Sequence, residues 1–195
     1  MSYTLDEGEE MVRTARSAVE LASRSPFFDR NLLAKRLKDY NRHQKIIVKL
    51  LHKPTGTVIG VSDYRTDLPN GMAVVEAALS AARKNRDINL TDRELGEITV
   101  EVYSLSEPQP LPKAFTARVN DIDEKKDGIM VVYGTRTGIL LPEDSIGKGK
   151  IAYLEKACEE AGLPGEYWKQ PHVNIYKIGI QHFVEKAPNG KVVQI

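Results

Sequence analysis

The sequence predicts an α+β fold: a mostly antiparallel sheet flanked by helices. Three observations carry that prediction. Strand-like runs succeed one another through turn residues, as at Lys53-Pro54-Thr55-Gly56 and Gly134-Thr135-Arg136-Thr137. Helical stripes fall between them at irregular intervals, so the regular strand–helix alternation of a doubly wound parallel sheet is missing. The 195 residues, 41% hydrophobic and 28% charged, have a globular composition and length enough to bury a core without disulfide or metal staples.

The elements follow in order. Residues 4–22 read as a helix: Thr4 and Glu7 have capping-box spacing, and Leu5, Met11, Ala15, Ala18, Val19 and Ala22 form one apolar stripe that Gly8 weakens in its first turns. Ser25-Pro26 ends it, and Asn31 is the expected cap of a shorter helix carrying Leu33, Leu37 and Tyr40. Residues 46–51 and 57–61 form a hairpin. Leu68-Pro69-Asn70-Gly71 breaks the chain, with Asn70 as the expected cap of a helix over 72–84. Thr91 and Glu94 repeat the capping-box spacing before a short turn, and residues 98–105 alternate as a half-buried strand. Pro108, Pro110 and Pro112 stiffen residues 107–112, the best junction between two lobes of a single domain over 1–195. Strands over 128–133 and 138–141 precede a helix over 151–161, whose stripe is Ile151, Leu154, Cys158 and Ala161 and whose close is Gly162. A long strand over 173–185 and a turn at Asn189-Gly190 complete the chain.

The composition excludes several classes. Lys+Arg 28 against Asp+Glu 27 leaves a net charge of +1, so bulk charge does not hold this protein on nucleic acid. One cysteine excludes an intrachain disulfide and a cysteine-rich zinc framework. The start of the chain lacks a signal-peptide pattern and no apolar run is long enough to span a bilayer, so a soluble cytoplasmic protein is expected, with no membrane partner. The histidines are His43, His52, His172 and His182, without metal-ligand spacing, so neither metal nor cofactor is expected. His172, Asn174, Tyr176 and His182 share one polar strand face, read as solvent-exposed with a cleft lining as the alternative. Cys158 lies late in its helix between apolar neighbours and acids, which reads as structural. Gly134–Gly138 and Gly147–Lys150 depart from the P-loop pattern. The marked asymmetry is basic: residues 29–53 include Arg36, Lys38, Arg42 and Lys45, the face of a second alternative, a nucleic-acid-associated protein that meets phosphates there. Asp63, Tyr64, Arg65 and Asp67 leave a strand together, a position suited to ligands.

Glu94-Leu95-Gly96-Glu97-Ile98-Thr99-Val100-Glu101-Val102 with Ser104-Leu105-Ser106, Asp127-Gly128-Ile129 with Gly138-Ile139-Leu140-Leu141-Pro142, the run Leu154-Glu155 through Cys158 to Ala161-Gly162-Leu163-Pro164 with Trp168, and Phe183-Val184-Glu185 stand in an order and spacing of their own. Together these stretches resemble the AMMECR (AMME chromosomal region candidate gene) family. The resemblance implies two unequal lobes with a cleft between them. It also implies a Leu-Arg-Gly-Cys-Ile-Gly hallmark, against which this chain has Gly56-Thr57-Val58-Ile59-Gly60-Val61. The hallmark cysteine falls on Val58 in one register and Val61 in the other, and neither has a thiol, so cysteine catalysis there is chemically closed. By the family's motifs, Gly60, Asp63, Asp87 and Glu185 are the expected ligand-binding positions, for a small molecule or a protein partner held at that inter-lobe cleft. An acid–base or hydrolytic enzyme built on carboxylates and His52 is a third alternative.

Overall fold

The computed structural model describes the chain apart from residues 1, 26, 38–44, 63–67, 84–89, 145–146 and 148. The chain forms two compact units, Met1–Leu105 with Gln181–Ile195, and Ser106–Ile180. Both are α+β, and among the described residues Lys45–His52 pairs antiparallel with Thr57–Val61 and Ile98–Leu105, Asp127–Tyr133 with Arg136–Leu140 and Asn174–Glu185, and Asn174–Glu185 with Gln109–Pro110 and Val192–Gln194.

The first unit opens on helix α1 (Leu5–Arg24). The Thr4 hydroxyl accepts the Glu7 N–H, and the Glu7 carboxylate accepts the Thr4 N–H at 2.7 Å, the reciprocal cap its spacing predicts. Such a cap contributes about 1 kcal/mol. Met11, Val12, Ala15, Ala18 and Val19 are buried on the core face. Gly8 has a packing role: a Cβ there would run into the Phe183 ring. The next helix, α2 (Arg30–Ala34), is capped by Asp29, which accepts the Leu32 N–H, and not by Asn31, because the chain turns helical one residue before Asn31. Helix α3 (Asn70–Arg83) starts earlier than expected. Asn70 is its first residue, buried, and its amide donates to the Tyr3 hydroxyl instead of serving as the expected cap. Helix α4 (Asp92–Leu95) carries the second capping box, Thr91 with Glu94.

The sheet of this unit contains β1 (Lys45–His52), β2 (Thr57–Val61), β3 (Ile98–Leu105), residues 181–185 of β7 (Asn174–Glu185) and β8 (Val192–Gln194). Strand β1 lies between β2 and β3, β7 neighbours β3, and β8 pairs with β7. Ile46, Val48, Leu50, Ile98, Val100 and Val102 join the apolar faces of α1 and α3 in one core. Strand β3 was expected to be half buried, yet every residue but Glu101 is buried. It is a central strand, and its polar face is covered as well: Tyr103 stacks on His182 at 4.0 Å between ring centres.

The second unit contains β4 (Gln109–Pro110), α5 (Phe115–Asn120), β5 (Asp127–Tyr133), β6 (Arg136–Leu140), α6 (Lys150–Glu160) and residues 174–180 of β7. Here β5 pairs with both β6 and β7, and β4 pairs with β7. Proline is tolerated in so short a strand at the rim. On α6 the buried stripe is Tyr153, Leu154, Ala157 and Cys158; Ile151, expected on it, is 48% exposed. Gly162 (φ +69) closes the helix, with the Leu163 N–H donating back to the Cys158 carbonyl at 3.0 Å. Arg118 is fully buried, and its guanidinium donates to the carbonyls of Pro112, Trp168, Gln170 and Val173. Among the described residues, no helix is long and apolar enough to cross a membrane.

The Gly8 contact gives a sharp stability test. Gly8→Ala is expected to lower unfolding free energy by about 1–3 kcal/mol, although alanine is the better helix former, because overpacking outweighs propensity. Denaturant unfolding measures it, and an equally or more stable variant would contradict the packing role.

Candidate functional site

The site is built where the β1–β2 hairpin meets the exit of α4. The hairpin turn closes through the Gly56 N–H, which donates to the His52 carbonyl at 2.8 Å, with Gly56 at φ +68. Leu50 pairs with Gly60 and Leu51 with Val58, so Ile59 is an extra residue and β2 carries a bulge. Gly60 lies directly against α3: a Cβ there would overlap the Ala81 carbonyl oxygen. Beyond the bulge, Thr57 stands opposite His52, and Val58 is 43% exposed. On the other side of β1, the Lys53 N–H donates to the Glu97 carbonyl at 2.7 Å, which binds the turn to the residue leading into β3.

These backbone bonds bring together side chains from three segments. His52 Nε2 lies 3.3 Å from Glu97 Oε2, and His52 Nδ1 lies 2.8 Å from the Thr55 hydroxyl. The Arg93 Nε–H donates to Glu97 Oε1 at 3.2 Å. The hydroxyls of Thr55 and Thr57 are 2.8 Å apart. The hydrogen bonds from His52 and Arg93 hold the Glu97 carboxyl below its ordinary value, so it is ionised at neutral pH. An ionised carboxylate only accepts. The proton of a neutral His52 therefore sits on Nε2, and Nδ1 is left as an acceptor 2.8 Å from Thr55 Oγ1, whose single proton has Nδ1 and the Thr57 hydroxyl as its two acceptors in reach. Around them is an open pocket of about 560 Å³, with Val58, Ile59 and Ile98 as apolar lining and His52, Thr55, Thr57, Arg93, Glu94 and Glu97 as polar lining.

A buried ion pair holds this corner from behind. Arg16, 3% exposed, donates to both oxygens of the fully buried Glu185 carboxylate. The same guanidinium donates to the carbonyl of Ile98 at 2.7 Å and of Leu95 at 3.4 Å, the residues on either side of the Glu97 segment. Glu185 also accepts the Val100 N–H at 3.2 Å and an Arg13 N–H at 3.2 Å.

A second polar cluster lies on the sheet of the first unit. Glu101 Oε2 accepts the Tyr103 hydroxyl at 2.7 Å and lies 3.1 Å from His182 Nε2. The Lys49 ammonium sits 5.7 Å above the Tyr103 ring. Burial alone would raise the Glu101 carboxyl; the bonds from His182 and Tyr103 outweigh it and hold the group below its ordinary value. The face read as solvent-exposed is thus divided: His172 and Asn174 are exposed, whereas the His182 side chain is only 15% exposed and engaged.

The residues singled out in the sequence are placed as follows. Gly60 is the close-packing point on α3, and Glu185 is the buried acceptor of Arg16; neither lines the hairpin pocket. Asp63, Asp87, Lys38 and Arg42 lie outside the described residues. Arg36 is exposed after α2, and Lys45 is half-buried at the start of β1. His52 is in the pocket; Glu97, Thr55 and Arg93 are the partners that sequence reading missed. Cys158 is fully buried, and burial pushes its thiol up to about 11 against the opposing Trp168 backbone bond and Arg118, so it is a packed thiol and not a nucleophile.

Glu101 sets a pH-dependent term in stability. Its folded value is depressed, so its contribution is full above the unfolded value and is lost as pH falls through the folded one. Glu101→Gln is therefore expected to flatten the loss of stability between roughly pH 5 and pH 3. Thermal unfolding across that range reads it, and parallel profiles for the two proteins would contradict it.

The AMMECR1 family model matches residues 12–183. Protein MK0488 of Methanopyrus kandleri is 34% identical over 97% of this chain and 93% of its own. A protein of Methanocella arvoryzae is 30% identical over 98% of this chain and 97% of its own. The crystal structure of Uncharacterized Protein PH0010 from Pyrococcus horikoshii shares the fold, with a TM-score of 0.85, 24% identity and coverage of 97% of both chains. Family model, full-length relatives and fold agree: the chain belongs to the AMMECR1 family.

Proposed function

We propose that this protein binds a small molecule in the hairpin pocket and does so without cysteine chemistry. The observation that carries the reading is the pocket itself. Its volume, about 560 Å³, is that of a small-molecule site, and it combines an apolar lining with a few convergent polar groups. Val58 lines it, at the position where one register of the family resemblance puts the hallmark cysteine. A valine can contact an apolar part of a ligand but cannot attack it.

The polar groups describe the ligand. Arg93 offers guanidinium donors, Glu94 and Glu97 offer carboxylates, and Thr55 and Thr57 offer hydroxyls. The fitting class is a compact molecule with a hydrogen-bonding head and a short apolar body against Val58, Ile59 and Ile98. Such a ligand at 100 times its Kd adds about 2.7 kcal/mol to stability.

The test is a thermal-shift screen of small polar metabolites on the wild-type chain and on Val58→Trp, which fills the pocket from an exposed position. At least one compound is expected to raise the wild-type Tm, with the rise abolished in Val58→Trp. Absence of any stabilising compound, or a shift of equal size in Val58→Trp, would overturn the assignment.

A further inference from the structure

We propose, building on that reading, that the ligand is a small carboxylic ester and that the pocket hydrolyses it, with Thr55 as nucleophile, His52 as general base and Glu97 as the positioning residue for the imidazole. The geometry is that of an activated hydroxyl: a nucleophile in hydrogen-bond reach of a base, and the base oriented by a third group. Thr55 Oγ1 is 2.8 Å from His52 Nδ1, and His52 Nε2 is 3.3 Å from Glu97 Oε2. Arg93 fixes the other carboxylate oxygen at 3.2 Å. All four residues line one pocket. The imidazole is turned end for end relative to the usual serine triad: Nδ1 faces the hydroxyl and Nε2 the carboxylate. The order of the nitrogens does not affect the proton balance, since neutral imidazole has one donor and one acceptor in either orientation.

The steps close on these residues. Thr55 Oγ1 bonds to the acyl carbon as its proton passes to His52 Nδ1, and the carbonyl electron pair moves onto oxygen. The backbone N–H of Thr57, which already donates to Thr55 Oγ1 at 3.3 Å, is the donor beside the reacting oxygen and serves that oxyanion. Collapse breaks the bond to the alkoxy oxygen, which leaves as the alcohol with the proton from Nδ1. Water then attacks the acyl-threonine, gives its proton to Nδ1, and the second collapse returns that proton to Thr55. One ester and one water become one acid and one alcohol, with no oxidant or reductant. Throughout, the ionised Glu97 stabilises the transient imidazolium and keeps the ring from turning.

The experiment uses the full chain with two probes: p-nitrophenyl butyrate for turnover, and a fluorophosphonate for covalent capture, read by intact mass and peptide mapping. Capture at Thr55 is expected, retained in Thr55→Ser and abolished in Thr55→Val. His52→Ala is expected to slow capture and hydrolysis by about 100-fold or more. Glu97→Gln is expected to lower kcat and alter its pH profile, an effect that a merely structural role would not produce. Thr55 lies in an exposed turn, so loss of fold does not confound the result. No capture, capture at another residue, or capture indifferent to His52 would overturn the proposal. If a compound still shifts Tm in a manner blocked by Val58→Trp, the binding reading survives that failure; if none does, both fail.

Discussion

The hairpin corner depends on one buried ion pair. Arg16 and Glu185 lie 169 residues apart, yet their side chains meet inside the first unit with almost no exposure. Breaking such a pair by removing one partner costs about 3–5 kcal/mol, because the remaining charge is left buried. The consequence here is positional as well as energetic. Arg16 donates to the carbonyls that flank Glu97, and Glu185 accepts an N–H two residues into β3. The backbone at Glu97 is therefore held from both ends before its side chain reaches toward His52.

That arrangement explains how a family position can matter without touching a ligand. Glu185 belongs to the terminal Phe183-Val184-Glu185 stretch by which the chain resembles its family, and its carboxylate is fully enclosed by Arg16, Arg13 and the Val100 N–H. Gly60 acts in the same indirect way, letting β2 lie on α3 so that the bulge at Ile59 can set Thr57 across from His52. A scaffold built this way presents a pocket whose polar groups sit on a capped turn, a strand end and a hairpin.

Local chemistry was legible in the sequence and distant pairing was not. The capping boxes at Thr4 and Thr91 were readable because both partners lie three residues apart. The β1–β2 hairpin, the buried Cys158 and the Gly162 stop follow from neighbours within a few positions. By contrast, His52 and Glu97 are 45 residues apart, and periodicity says nothing of which acid a histidine meets. The cap of α2 was missed because Asp29 and Asn31 are both competent and only the backbone turn decides between them. Asn70 fits the cap pattern in sequence because nothing local reveals the Tyr3 hydroxyl that takes its amide. The bulge at Ile59 was likewise invisible, since it requires knowing the partner strand's register.

The most direct measurement of the central dependence is imidazole NMR on His52 in Glu185→Gln. Wild-type His52 is expected to show the Nε2-protonated tautomer, as its bond to Glu97 requires. In Glu185→Gln, with the fold verified by circular dichroism, that tautomer preference is expected to weaken toward the averaged pattern of a free imidazole. An unchanged His52 signature in the folded variant would contradict the account, because Glu97 would then hold its place without the buried pair behind it.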